Sequence, residues 1–388
     1  MKIRDISTIR VSLPYKQSIV SSFRGHQEGI ESVLVKVITD SGPMGIGEII
    51  GAPPFNDICE VMVLRHIKPV LLGENPMEVA RLTRRMEAVT TFWVPSGCFA
   101  TSAVEMALWD IKGKALGMPV YELLGGAVRD KIPVAGYVFI DSPEENVKLV
   151  RYYNSLGVPG VKVKVGLDSS TDIDRIAAIR EELGPEKIIR IDADEAWSPK
   201  KAIQIVKNLT PFNLALVEQP VPLHDYEGLA FVRQNVDVPV APDDALWGMQ
   251  DALRHIRMET SDVFVIRPEE TGGLQSFLRV AKIAETADIA CACGSWGSSG
   301  VLLTARLHAV ASCDNIRYPI DTHQYFLADD VLRGGMPRIE NGVFAIPSGP
   351  GLGITLDEDK VKEYAELKVK TQNWRSDEHL PKAPRHFF

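Results

Sequence analysis

The chain has 388 residues, of which 45% are hydrophobic and 24% charged, a composition typical of a globular protein that buries a large core. A chain of this length predicts two domains, or one barrel with attachments. Acidic residues outnumber basic ones by 51 to 43, and no basic cluster is long enough to follow a phosphate backbone. These features argue against a nucleic-acid partner.

Targeting and cysteine signals are sparse. The N-terminal stretch MKIRDISTIRVSLPYK lacks the apolar run of a signal peptide, and no run of about 18 apolar residues would cross a membrane. We therefore expect a cytoplasmic protein without membrane contact. The five cysteines include no CxxC pair, which argues against a disulfide framework or a thiolate zinc site. Cys291 and Cys293 are expected to pack within a strand.

The first third of the chain predicts an α+β unit. Residues 1–50 are expected to form strands, because ESVLVKVITDSGPMGIGEI has an alternating apolar run, a D-S-G turn and a second short run. Residues 56–122 have helical periodicity, clearest where Val104, Leu108 and Ile111 share one face.

After LLGG at residues 123–126, short apolar runs alternate with amphipathic segments. Eight strand-like runs, from IPVAGYVF to NIRYPID, are separated by helical segments. This alternation predicts a parallel sheet, and eight units within about 200 residues fit a closed (β/α) barrel better than an open sheet. No GxGxxG follows the first strand, so a dinucleotide site is not indicated. In such barrels the functional residues lie at the carboxyl ends of the strands.

The second run, VKVKVG, places Lys162 and Lys164 on the same side of a strand, because strand side chains alternate between faces. The pattern alone leaves two interpretations open. The lysines either face the mouth of the barrel or lie on the solvent-exposed side of an edge strand.

Three carboxylates end the next three runs. Asp192 and Glu218 are 26 residues apart, and Glu218 and Asp243 are 25 apart, which is one β/α unit each. The three side chains can therefore converge, and they would repel one another unless a cation lay between them. An all-oxygen set without His or Cys suits a hard divalent ion such as Mg²⁺.

Several motifs resemble the enolase superfamily, in the branch of muconate lactonizing enzymes, dipeptide epimerases and mandelate racemase-like proteins. They are LVEQP, IDADEAW, VPVAPDDAL, the paired lysines and the closing VFAIPSGPGLGITLDED. The resemblance covers essentially the whole chain and implies an α/β fold, a modified (β/α)₇β barrel of TIM type with an α+β capping domain. The implied bounds are 1–125 for the N-terminal capping domain, 126–330 for the barrel and 331–388 for a C-terminal segment that returns to the cap.

The resemblance also implies an activity and the residues behind it. Asp192, Glu218 and Asp243 would bind Mg²⁺ or Mn²⁺, and Lys164 would be the acid/base. Lys162 would polarise the substrate carboxylate and lower the pKa of Lys164, as a neighbouring cation does. The implied enzyme removes the proton α to a carboxylate and forms a metal-stabilised enediolate, in the way described for enolase-superfamily sites with a lysine or histidine base.

The sixth run departs from the family pattern. Arg267 lies 24 residues beyond Asp243, where muconate cycloisomerase-like members carry a lysine. An arginine stays charged, so it can hold a carboxylate or stabilise an enolate but cannot act as a base. Alternatively it merely pairs with Asp244 or Glu269.

A base on one face favours a cycloisomerase of the muconate lactonizing type or a syn-dehydratase, that is, an isomerase or a lyase. Racemisation needs acid/base groups on both faces. A racemase or epimerase of an amino-acid derivative or hydroxy acid therefore remains the alternative, with a second acid that the sequence does not reveal. A third possibility is a catalytically inactive metal-binding barrel.

Other departures concern charge and the pocket wall. Asp194 and Asp244 add negative charge and are expected to pair with the basic residues. The run CACGSWGSSG lacks the racemase histidine and the glutamate of the lactonizing branch, and Ser298 stands near the glutamate position. Tyr137, Trp296 and Ser298 are expected to contact the substrate, although Trp296 is equally interpreted as a packed aromatic side chain.

Two loops of the capping domain, near residues 21–27 and 49–55, are expected to set specificity. Arg24 and His26 in the first loop would meet an anionic or polar group of the substrate, or would be solvated. The expected partner is a small carboxylate, and a homo-oligomer is expected from the resemblance.

Overall fold

The N-terminal strands form a three-stranded antiparallel sheet. A computed structural model of the chain describes residues 1–21, 25–51, 54–92 and 96–371. The sheet contains β1 (Ile3–Ser21), β2 (Gly25–Thr39) and β3 (Gly45–Gly51), paired in that order. The predicted D-S-G turn connects β2 to β3, so the predicted strands and their hairpin are confirmed.

Helices follow this sheet, as predicted. They are α1 (Phe55–Met62), continued by a π-helical turn (Val63–Ile67) into α2 (Lys68–Leu71), then α3 (Val79–Thr90), α4 (Ser96–Leu116) and α5 (Val120–Leu123). Helix α4 is buried over most of its surface and lies directly against β3. A Cβ atom on Gly47 would stand only 1.8 Å from the carbonyl oxygen of Ala103, so glycine is what lets the helix approach the strand.

The predicted alternation of strands and helices is confirmed from residue 131 onward. The elements are β4 (Lys131–Pro133), β5 (Gly136–Val138), α6 (Pro143–Ser155), β6 (Gly160–Lys164), α7 (Ser169–Leu183), β7 (Ile188–Asp192), α8 (Pro199–Leu209) with a 3₁₀ turn (Thr210–Phe212), β8 (Leu214–Glu218), α9 (Tyr226–Asn235), β9 (Val240–Ala241), α10 (Met249–Arg257), β10 (Val263–Ile266), α11 (Pro268–Thr271), α12 (Leu274–Thr286), β11 (Ala290–Cys293) and α13 (Gly300–Ala311).

The strands close into a barrel. Strands β5 to β9 pair in parallel in chain order, and β10 pairs in parallel with β11. The N–H of Val265 donates to the carbonyl of Pro242 at 3.2 Å and joins the two groups. The eighth predicted run closes the ring, because Arg317 donates to Cys291 at 2.9 Å on one side and Ala135 donates to Ile320 at 2.9 Å on the other.

The chain then returns towards the N-terminal sheet. Strand β12 (Val343–Ala345) pairs antiparallel with β4, and α14 (Glu358–Glu366) follows it. Lys36 of β2 forms a 2.8 Å ion pair with Glu358, and the N–H of Val120 donates to Gly351 at 3.0 Å. The domain bounds at residues 125 and 330 stay a prediction. None of the described helices combines the length and apolar character that a bilayer crossing requires.

Two buried carboxylates of the N-terminal unit bind the first turns of barrel helices. Glu48 of β3 accepts from the N–H groups of Ser299 (2.9 Å) and Leu302 (2.8 Å) at the start of α13. Glu105 of α4 accepts from the N–H of Leu274 (2.9 Å) at the start of α12. The first N–H groups of a helix have no partner within the helix and carry partial positive charge, so both contacts fix the cap to the barrel.

Glu48→Ala should lower the free energy of unfolding by about 2–3 kcal/mol. The buried N–H groups that donate to the Glu48 carboxylate in the wild type would lose their acceptor. Glu48→Gln keeps one acceptor oxygen and should fall between the wild type and the alanine variant. The exposed Glu186 offers a matched control, and Glu186→Ala should change stability by less than about 0.5 kcal/mol. Chemical unfolding followed by circular dichroism measures all three, and equal stability of the two alanine variants would contradict the assignment.

Candidate active site

A cavity opens at the carboxyl ends of the barrel strands. Ser21 of β1 and Gln27 of β2 contribute to its wall, so the N-terminal sheet covers the barrel mouth. The described residues that line it are Ser21, Gln27, Tyr137, Phe139, Lys164, Asp194, Asp243, Asp244, Arg267, Ser295, Trp296 and His323.

The three predicted metal ligands meet beside this cavity. Asp192 and Glu218 are the last residues of β7 and β8, and Asp243 lies two residues beyond β9. All three are buried, and one carboxylate oxygen of each lies within 4.8 Å of the others. Glu218 Oε2 and Asp243 Oδ1 have no hydrogen-bond partner among the described residues. Buried orphan oxygens in an oxygen-only set fit a hard divalent cation.

Electrostatics of the cluster support the same conclusion. Burial, and then the charge of Asp192, raise the pKa of Glu218 well above its usual range, whereas burial at Asp192 is outweighed by Lys162 and Lys164, which hold its pKa well below its usual range. The two lysines therefore compensate Asp192, and Glu218 is the cluster member whose ionised form requires further positive charge.

Both lysines of VKVKVG point into the barrel mouth. Lys162 is fully buried, and Lys164 is 8% exposed, so the edge-strand interpretation is wrong. Lys162 Nζ lies 2.9 Å from Asp192 Oδ2 and also pairs with Glu218, beneath the cavity lining. Lys164 Nζ lies 2.7 Å from Asp192 Oδ2, pairs with Asp194 and faces the cavity.

The pKa of Lys164 is shifted in the direction opposite to the expected one. Burial alone would lower it, but the carboxylates of Asp192 and Asp194 outweigh burial and the repulsion from Lys162, and the pKa is raised well above its usual value. A divalent cation bound to the carboxylates would oppose this rise, because it would neutralise the charge that holds the lysine proton.

Arg267 follows β10 and is held on two sides. Its Nη2 lies 2.5 Å from Asp243 Oδ2, and its Nη1 lies 2.5 Å from Glu270 Oε1. The predicted alternative partner Glu269 pairs instead with Arg306. Glu270 was not anticipated, although it lies three residues beyond Arg267, one turn along α11, where side chains meet.

The two additional aspartates differ in their partners. Asp194 pairs with Lys164, as expected. The nearest basic group to Asp244 is Arg267 Nη1, which is 3.7 Å from Asp244 Oδ1. Burial, and then the adjacent Asp243, raise the pKa of Asp244 to about 8. Negative charge at Asp244 is therefore poorly compensated.

The structure brings two of the five predicted substrate-binding residues to the cavity, namely Tyr137 and Trp296. Ser298 is buried outside the lining, and its hydroxyl accepts from Arg306 at 3.3 Å. His26 is exposed and is also outside the lining. Arg24 lies outside the described residues, as do parts of both predicted specificity loops.

Sequence analysis missed two polar residues at the end of the eighth run. Asp321 is buried, pairs with Arg190 and lies 3.2 Å from Lys162 Nζ. His323 lines the cavity, and its ring centroid is 4.5 Å from that of Tyr137. The sequence contained a signal for Asp321, because this residue ends the eighth apolar run in the same way that Asp192 ends the third.

Comparisons with known proteins place these residues in a family context. Residues 5–125 match the family described as mandelate racemase / muconate lactonizing enzyme, N-terminal domain, and residues 145–360 match the family described as enolase C-terminal domain-like. The L-Ala-D/L-Glu epimerase of Bacillus subtilis is 32% identical over 91% of this chain and 97% of its own length. Muconate cycloisomerase 1 of Acinetobacter baylyi is 30% identical over 92% of this chain and 96% of its own length.

A solved structure is similar over the same extent. The dipeptide epimerase of Enterococcus faecalis, complexed with Mg and the dipeptide L-Leu-L-Tyr, superposes with a TM-score of 0.82 at 28% identity. The match covers 92% of this chain and 100% of that chain. Fold and family are therefore shared with proteins that differ in the reaction they are named for.

Replacing any one of the three carboxylates at the cluster should weaken Mg²⁺ binding by about tenfold or more, because each removes a charged oxygen ligand. The variants are Asp192→Asn, Glu218→Gln and Asp243→Asn, and isothermal titration with MgCl₂ measures the affinity. The exposed Asp314 provides the control, and Asp314→Asn should leave the titration unchanged. Unchanged Mg²⁺ affinity in all three cluster variants would contradict the assignment of these residues as metal ligands.

Proposed function

Because the chain belongs to the mandelate racemase/muconate lactonizing branch of the enolase superfamily, we propose that it is a Mg²⁺-dependent enzyme that removes the proton α to the carboxylate of a small substrate. One observation carries the proposal. Three buried carboxylates converge beside Lys164 at one cavity.

Asp192, Glu218 and Asp243 would hold the ion. The unpartnered oxygens of Glu218 and Asp243 support this assignment. When bound, Mg²⁺ would neutralise the negative charge that develops on the substrate carboxylate as the proton leaves.

Lys164 is the proposed base, because it is the lysine that faces the cavity among the described residues. Its neutral amine would take the α-proton at Nζ, and the electron pair of the broken C–H bond would pass into the carboxylate. Asp194, which pairs with Lys164, would orient the amine and later hold the ammonium.

Lys162 takes a different role in this proposal. It is fully buried, lies outside the cavity lining and contacts Asp192, Glu218 and Asp321. It would therefore position the ligand carboxylates and offset their charge rather than touch the substrate.

Arg267 decides the reaction class. Its guanidinium stays protonated and is anchored between Asp243 and Glu270, so it would stabilise charge without exchanging a proton. We therefore propose one-base chemistry, in which Lys164 removes the proton and the substrate then undergoes cycloisomerisation or syn β-elimination.

Epimerisation of an amino-acid derivative is the second candidate. A relative that is 32% identical is named an epimerase, and His323 adds a titratable side chain to the cavity wall. This reaction would require such a group to return the proton from the face opposite Lys164.

Lys164→Ala should lower the rate of α-proton exchange by about 10²–10⁴-fold, the usual contribution of a positioned base. Proton NMR in D₂O with Mg²⁺ and a library of 2-substituted carboxylates measures it, and circular dichroism checks the fold. The exposed Lys200 supplies the control variant Lys200→Ala, which should exchange like the wild type. Full exchange by Lys164→Ala would assign the base elsewhere.

Arg267→Lys restores an amine at the sixth strand and should introduce slow exchange of the enantiomer that the wild type leaves untouched. Arg267→Met removes the charge and should slow exchange of the original enantiomer, because charge stabilisation is lost. Chiral chromatography of the products from both variants gives the readout. The assignment fails if Arg267→Met matches the wild type in rate.

A further inference from the structure

We infer that the substrate carries a positively charged nitrogen on its α-carbon and that the carboxylate of Asp244 binds this nitrogen. The inference rests on the proposed function, because it assumes that the substrate carboxylate lies against the cluster of Asp192, Glu218 and Asp243.

The cavity-lining carboxylates differ in how well they are paired. Asp194 is paired with Lys164, and Asp243 lies 2.5 Å from Arg267. Asp244 accepts no hydrogen bond through its carboxylate from any described residue, and the guanidinium of Arg267 is 3.7 Å away. Asp243 Oδ1 also has no partner but is assigned to the metal ion, so Asp244 is the described lining carboxylate that has both oxygens left for a cationic donor.

The lining cations are largely committed to neighbouring carboxylates. Lys164 is engaged by Asp192 and Asp194, and the two terminal nitrogens of Arg267 are engaged by Asp243 and Glu270. Arg267 Nε has no partner among the described residues, but it lies against Gly294, where a Cβ atom would stand 2.6 Å from it. A second carboxylate on the substrate at this position would face the carboxyl oxygens of Asp244, whereas an ammonium group would donate to them. Ionised Asp244 would repel the second carboxylate, whereas an ammonium group beside Asp244 would itself stabilise the ionised form.

The position of Asp244 suits an α-nitrogen. Asp244 lines the cavity beside Asp243, and a carboxylate oxygen of Asp244 lies within 4.8 Å of one of Asp243, so it stands next to the ligand cluster. An α-nitrogen is attached to the carbon that also bears the carboxylate, so both groups can reach neighbouring partners. Tyr137 and Phe139, with ring centroids 4.8 Å apart, supply an apolar wall for the hydrocarbon part of the ligand.

A second metal ion is the rival occupant. Oxygens of Asp243, Asp244 and Glu270 lie within 4.8 Å of one another. However, Arg267 already bridges two members of this group through separate nitrogens. An added ion would have to displace a guanidinium, whereas an ammonium group needs only the oxygens of Asp244.

Three ligands of matched shape test the inference. They are 2-aminoisobutyrate, pivalate and dimethylmalonate, which present an ammonium, a methyl or a second carboxylate at the same position. None has an α-hydrogen, so binding is measured without turnover by ligand-observed NMR with Mg²⁺ present. Wild-type protein should bind 2-aminoisobutyrate about 10- to 100-fold more tightly than pivalate, the range expected for a hydrogen bond to a charged group. Dimethylmalonate should bind no better than pivalate.

Asp244→Asn should abolish the preference for 2-aminoisobutyrate and leave pivalate affinity unchanged, while the exposed-site control Asp237→Asn should retain the preference. Equal or tighter binding of pivalate or dimethylmalonate by the wild type would overturn the inference alone. Loss of one Mg²⁺ equivalent in Asp244→Asn with the ligand preference intact would also overturn it, in favour of a second ion. Failure of Mg²⁺ to promote binding of any of the three would instead overturn the proposed function.

Discussion

Charge compensation at the barrel mouth is the constraint on which the site depends. Among the described residues, seven carboxylates meet four basic side chains there, and full ionisation would leave three negative charges uncompensated. The carboxylates are Asp192, Asp194, Glu218, Asp243, Asp244, Glu270 and Asp321, and the cations are Lys162, Lys164, Arg190 and Arg267. A divalent ion would remove most of this excess and would also release Lys164 from the carboxylates that hold its proton. Metal binding and base strength are thus two consequences of one arrangement.

The capping unit makes this arrangement a closed site. Ser21 and Gln27 contribute to the cavity wall, while Glu48 and Glu105 hold the first turns of α13 and α12. These helices follow the strands that precede Trp296 and Arg267. The contacts therefore fix the strand ends that form one side of the cavity, where burial of the charged groups strengthens their interactions.

Much of the fold was predictable, because each strand and helix of the barrel carries its own periodicity and strand ends fall at one rim. The convergence of Asp192, Glu218 and Asp243 follows from that rule. The rule does not predict whether Glu269 or Glu270 pairs with Arg267, because that depends on how α11 turns after β10. Ser298 illustrates the same limit. The buried Arg306 of α13 donates a hydrogen bond to the Ser298 hydroxyl, which the sequence did not predict. The direction of the pKa shift at Lys164 depends on Asp192 and Asp194, which approach from a neighbouring strand.

One measurement tests the central claim most directly. Wild-type protein is incubated in D₂O with the separate enantiomers of chiral 2-substituted carboxylates, with and without Mg²⁺, and the α-proton signal is followed by NMR. The account predicts loss of that signal for one enantiomer, with Mg²⁺ required and the mirror image unchanged. Exchange without a divalent ion would contradict the role of the carboxylate cluster, and deuterium entering both enantiomers would contradict the single base at Lys164.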